Sequence, residues 1–235
     1  MRWIILVLLS FFFGIFGGIF ADQILWPYFV EKPLFYKYQI EKAPIYVIER
    51  KEIKIQENKA LKEAIEEVEE SVFFIKTKMG KKTIEGSGFV LTSDGLAVSL
   101  ASLVPSGGNF VFLANGEILP FEILKRDKKE NLVLIKFEKE NLMTRGFFDF
   151  EKLNLGERVF LLAKVSKKGK IENIVAQGIV KSFDKNLIET DIFETERING
   201  APLFNIEGEF LGLAFSLKGK VFAIPVTKIR EFSGL

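Results

Sequence analysis

Thr-Asp-Ile-Phe-Glu-Thr-Glu-Arg-Ile-Asn-Gly-Ala-Pro-Leu-Phe-Asn runs from residue 190 to residue 205, and Glu207-Gly208-Glu209-Phe210-Leu211-Gly212-Leu213 follows it. Taken alone, this is a tight polar turn, then a short strand, then a hairpin. Gly200 supplies backbone freedom at the turn, and Pro202 fixes φ where the strand begins. Gly208 lies between two apolar runs, where a hairpin needs its reversal.

Working outward, the chain is strand after strand from Ser71 onward. Val72–Lys78 and Ile84–Thr92 are separated by Gly80-Lys81-Lys82. Asn115-Gly116 lies between Phe110–Leu113 and Ile118–Leu124, the strongest short hairpin signal present. Leu132–Phe137 follows, and residues 138–155 read as a linker. Val159–Val165, Ile171–Ser182, Leu187–Thr190, Pro202–Phe204, Phe210–Phe215 and Val221–Ile224 form a second set, and Val226–Phe232 reads as a short helix. Short strands at regular spacing predict an all-β barrel or sandwich. Before them, Lys59–Glu70 is predicted to be a helix with Asn58 as its cap, because Leu61, Ala64, Ile65 and Val68 recur at helical spacing.

Composition removes whole classes of chemistry. The 235 residues include no histidine and no cysteine. Without them no Ser-His or Cys-His relay, thiol nucleophile, disulfide framework or imidazole metal site can be assembled. Lysine plus arginine number 33 against 31 acidic residues, which argues against a broad nucleic-acid footprint. No phosphate-binding glycine motif or helical metal motif occurs, and no cofactor is expected. Glu194 and Glu196 near Asp191 read as a solvated acidic loop rather than a cation site. The 25 phenylalanines read as core filler.

Trp3–Ala21 is 19 residues without a charge, long enough to cross a hydrocarbon layer of roughly 30 Å as a helix. Ile19 and Ala21 make a poor cleavage site, so an uncleaved anchor is expected rather than a signal peptide. Arg2 places the amino terminus in the cytoplasm and the rest of the chain outside the membrane. Residues 1–26 are thus read as a transmembrane anchor, 27–57 as a stalk and 58–235 as the folded domain.

The opening stretch also resembles the nucleophile loop of the HtrA/DegP-like serine proteases. From Thr190-Asp191 to Pro202-Leu203 the family spacing holds without a gap. Gly86-Ser87-Gly88-Phe89-Val90 and Ser93-Asp94-Gly95 resemble the family's strand and turn ahead of its histidine. Lys129-Glu130-Asn131-Leu132-Val133-Leu134-Ile135-Lys136 resembles the strand that its aspartate opens, and Phe222-Ala223-Ile224-Pro225-Val226 the strand that closes its second barrel. The resemblance covers roughly residues 58–231. It implies a chymotrypsin-like double six-stranded β-barrel, the first barrel about 71–137 and the second about 156–225. No residues remain for the PDZ domain that many relatives carry. Phe35, Tyr36 and Tyr38 fall where relatives carry trimer-forming aromatics, which makes a homotrimer one expectation.

The same resemblance locates the chemistry that is missing. Ser102 stands where the family has histidine, Asn131 where it has aspartate, and Asn199 where it has serine. Neither a neutral amide nor a serine can relay the proton that acyl transfer needs. Arg197 replaces a glycine of the oxyanion loop, so Arg197, Ile198 and Gly200 are the groove residues to follow. A Ser-Lys dyad needs no histidine, but nothing in the spacing sets a lysine beside Ser87 or Ser102 in a buried site. The expectation is a catalytically inactive, membrane-anchored scaffold that binds proteins or peptides, by strand addition along the old groove or by pairing with an active relative. The alternative is a serine endopeptidase with atypical residues in envelope protein quality control.

Overall fold

A computed structural model describes residues 2–26, 57–114 and 116–235. The stalk with Phe35, Tyr36 and Tyr38 lies outside these residues, as does Asn115. The chain divides into two compact units, Met1–Lys54 and Ile55–Leu235. In the first, helix α1 (Arg2–Phe20) continues through a π-helical turn, Ala21–Leu25, with every side chain exposed. The 24 residues Arg2–Leu25 rise about 36 Å at 1.5 Å each, long and apolar enough for a membrane span or a signal sequence.

In the second unit, helix α2 spans Glu57–Val68 and starts ahead of the expected Lys59. Asn58 therefore sits inside its first turn and is not its cap. Ala64 and Val68 are buried, and Leu61 and Ile65 pack beside them.

Seven strands follow: β1 (Val72–Met79), β2 (Lys82–Val90), β3 (Leu96–Leu100), β4 (Asn109–Ala114), β5 (Glu117–Ile118), β6 (Phe121–Asp127) and β7 (Leu132–Phe137). Their order in the sheet is β5-β4-β1-β2-β3-β7-β6. The expected strand Ile118–Leu124 is split, and Pro120, which has no N–H to give a ladder, is the reason. Leu119 N–H donates to Phe112 C=O (3.0 Å), and Glu138 N–H donates to Pro120 C=O (3.1 Å). The first bond prolongs the β4–β5 ladder and the second prolongs β6–β7. So β5 and β6 are two halves of one strand bent at Leu119-Pro120, and the chain itself closes this barrel. Strand β3 was not expected. It is short and carries Ala97 and Ser99, so its composition does not announce a strand.

The second barrel closes by hydrogen bonds in the order β10-β13-β12-β11-β8-β9. Its strands are β8 (Arg158–Lys167), β9 (Lys170–Phe183), β10 (Ile188–Phe193), β11 (Pro202–Asn205), β12 (Phe210–Leu217) and β13 (Lys220–Pro225). Helix α3 (Val226–Ser233) buries Val226, Ile229 and Phe232. Phenylalanine fills the interior as the composition implied. Phe73 meets Phe137 edge-on at 5.0 Å, and Phe112 meets Phe121 at 4.3 Å. Across the seam, Phe89 of β2 stacks on Phe210 of β12 at 4.1 Å. Phe160, Leu162, Phe204 and Leu213 join the same core as the first barrel, so the seam is continuous apolar packing.

Candidate functional site

Two loops of the first barrel and one of the second converge beside this seam. A single 3-10 turn, Ala101–Leu103, ends β3 and presents an exposed Ser102. Asn131 lies at the entry to β7 with φ 54°. Ser102 N–H donates to Asn131 Oδ1 (2.9 Å), and Ala101 N–H donates to Asn131 C=O (3.0 Å). Asp127 shapes the turn before it by accepting from Lys129 N–H (2.8 Å) and Glu130 N–H (3.0 Å). The Glu130 bond, followed by that of Lys129, holds the Asp127 carboxyl below the usual aspartate range. Ser102 and Asn131 are therefore held side by side.

The loop at Asn199 arrives from the other barrel. Glu196–Ile198 forms a 3-10 turn in which Arg197 is exposed and Ile198 fully buried. Asn199 N–H donates back to Glu196 C=O (3.1 Å), and Gly200 N–H donates to Ala214 C=O (2.8 Å). The Asn199 side chain is also committed: its Oδ1 accepts from Ser216 N–H (2.8 Å). Ser216 in turn donates its hydroxyl to Glu194 C=O (2.6 Å). Arg197, without glycine's conformational range, is not in the left-handed region, and the loop closes on itself.

Strand β2 locks this loop to the first barrel. Ser87 N–H donates to Asn199 C=O (3.0 Å), and Ser99 Oγ donates to Ser87 C=O (2.7 Å). A Cβ on Gly86 would lie 2.6 Å from the Asn199 carbonyl oxygen and 2.5 Å from the Leu103 side chain. Gly86 is thus required for close approach. That same position brings the Asn199 loop up against the turn that carries Ser102. Both halves of the cleft meet at one glycine.

Sequence reasoning missed two participants. Ser216 carries no local signal. Lys164 carried one, as a lone cation inside the apolar run Val159–Val165. A lysine does lie beside a buried serine, although nothing in the spacing marks it. Ser87 Oγ accepts from Lys164 N–H (2.8 Å) and faces Lys164 C=O (3.3 Å). These are backbone contacts, and Ser87 is fully buried, so they staple the barrels together and do not form a dyad.

The trypsin-like peptidase domain family matches residues 86–213. The chain belongs to that family. Its relatives are HtrA- and DegP-like. One is a probable periplasmic serine endoprotease, DegP-like, from Halomonas elongata: 29% identical over 157 residues, 60% of this chain and 32% of the relative. Another is the serine protease HTRA1A of Danio rerio: 32% identical over 163 residues, 63% of this chain and 33% of the relative. The serine protease HTRA1 of Xenopus laevis is 32% identical over 164 residues, 63% and 35% of the two chains. The chain thus spans about a third of the length of the curated relatives it matches. In this trypsin-like peptidase domain a backbone-to-side-chain bond joins positions 102 and 131. On the other side of the seam, the loop at Asn199 is held by that residue's amide.

Proposed function

We propose that this HtrA-like chain is a catalytically silent homologue that binds polypeptide rather than cutting it. It is a single-pass membrane protein with its amino terminus in the cytoplasm and its barrels outside. The observation that carries this reading is Asn199. It occupies the nucleophile position, its N–H is spent on Glu196 and its Oδ1 on Ser216. With no histidine in the chain, no group beside it can accept a hydroxyl proton by the serine-protease route. The role left to the fold is recognition, as an envelope scaffold for protein quality control, alone, as a homotrimer or beside an active relative. A peptide adding as a strand at this end of β12 would exchange the Ser216–Asn199 bond for a ladder bond of similar worth, about 1 kcal/mol.

The full chain in lipid nanodiscs, incubated with fluorogenic casein and a fluorophosphonate probe, is expected to release no fluorescence and to take up no label. Labelling of one serine, lost on its replacement by alanine, would favour the alternative of a serine endopeptidase with atypical residues. The absence of cysteine gives the topology a clean test. Lys185, exposed between β9 and β10, is the site for a single cysteine. In intact cells, K185C is expected to react with a membrane-impermeant maleimide, whereas reaction only after lysis would reverse the orientation.

A further inference from the structure

Away from the triad positions, a cavity of about 500 Å³ opens between the β4–β5 hairpin, the residues after α2 and the β8–β9 hairpin. Lys164 lines it. This lysine is only 8% exposed, yet no hydrogen bond or ion pair joins its ammonium to a described residue. Glu69, on the cavity wall, and Glu70 reach it only through their field. Burial pushes the amine below the usual lysine range, against the opposing pull of the two glutamates. The largely buried Lys164 side chain thus brings its ammonium to the cavity without a bonded counter-charge, and a bound anion would supply one. Asn173 pairs with Lys164 across the β8–β9 ladder and also lines the cavity, which puts an amide donor on the same face.

The wall decides which anion fits. Lys170 on the wall offsets Glu69, so the apolar lining rather than net charge makes the choice. The volume far exceeds a bare carboxylate, and Leu113 and Ile171 offer apolar surface beside Lys164. We propose that this cavity binds a monocarboxylate with an apolar body, its carboxylate on Lys164 and Asn173. A free fatty-acid-like molecule and a peptide carboxy-terminus share that chemistry. The site is separate from the Asn199 loop, and its occupancy does not depend on whether the chain cleaves peptides.

The test uses the full chain in nanodiscs, with lysines labelled at the ε-carbon and followed by NMR. The Lys164 signal is assigned by its absence in K164M, a variant that keeps length and removes the charge. Hexanoate and N-acetyl-Leu-Ala are titrated separately, with N-acetyl-Leu-Ala amide and inorganic phosphate as contrasts. At least one carboxylate is expected to bind saturably, and which one binds names the source. It should raise the Lys164 titration midpoint, because a nearby anion favours the ammonium. The amide should bind about tenfold more weakly or worse, as loss of a charge-assisted bond implies. In a calorimetric titration K164M should lose the affinity, and N173A, altered at an exposed residue, should weaken it about fivefold. No saturable response to either carboxylate would overturn the proposal. So would equal binding of the amide, tighter binding of phosphate, or unchanged affinity in both variants.

Discussion

Alanine in place of Gly200 is expected to lower stability by about 2–5 kcal/mol, the sum of left-handed strain and overpacking. Gly200 has φ 77°, and a Cβ there would lie 2.2 Å from the Ser87 carbonyl oxygen and 2.9 Å from Ser99 Oγ. Neither neighbour can yield cheaply. The Ser87 carbonyl already accepts from Ser99 Oγ, and Ser87 N–H is bonded to Asn199. Gly107 is the internal control, with φ 83° and nothing within 4 Å of an added Cβ. G107A should therefore carry only the left-handed term, about 1–2 kcal/mol. Thermal melts followed by circular dichroism should place G200A about 5–15 °C below the parent and G107A much nearer to it. Equal shifts in the two variants would mean that the Asn199 loop does not press on β2 as described.

How much of this was legible beforehand varies with the kind of residue. The glycines at 86, 88 and 200 and the turn at Asn199-Gly200-Ala201 mark places where backbones meet. Their spacing carried the family pattern into the fold. The bend at Pro120 was readable in principle, because a residue without an N–H cannot sit inside a ladder. Strand β3 was not readable, since Ala97 and Ser99 lack β propensity and earn their place by packing between β2 and β7. At the site, Ser102, Asn131 and Asn199 were singled out through the family resemblance. What each of them bonds to depended on partners distant in sequence. Ser216 lies 17 residues beyond Asn199, and Lys164 lies 77 beyond Ser87. No local pattern encodes such pairs.

Restoring the three side chains together, as S102H/N131D/N199S, is expected to leave the protein about 100–1,000-fold slower on fluorogenic casein than an active DegP-like enzyme assayed beside it. The base side should accept the change. An aspartate at 131 still offers an oxygen to the N–H of residue 102, so an imidazole there would have its orienting acid at hand. The nucleophile side should not. The oxyanion hole is built from the nucleophile's own N–H and that of the residue two before it. At position 199 that N–H donates to Glu196 C=O, at 3.1 Å, inside a 3-10 turn that serine does not undo. Loss of one such donor alone costs about two to three orders of magnitude in turnover. Arg197 is the residue that can release the turn, because glycine there regains the wider range of φ and ψ. Adding R197G to the triple variant should raise turnover at least about tenfold, as a second donor becomes free to face the cleft. If the triple variant alone comes within about tenfold of the active enzyme, the hole was never closed. The hydrogen bonds of Asn199 would then be a consequence of its amide and not a rebuilt loop.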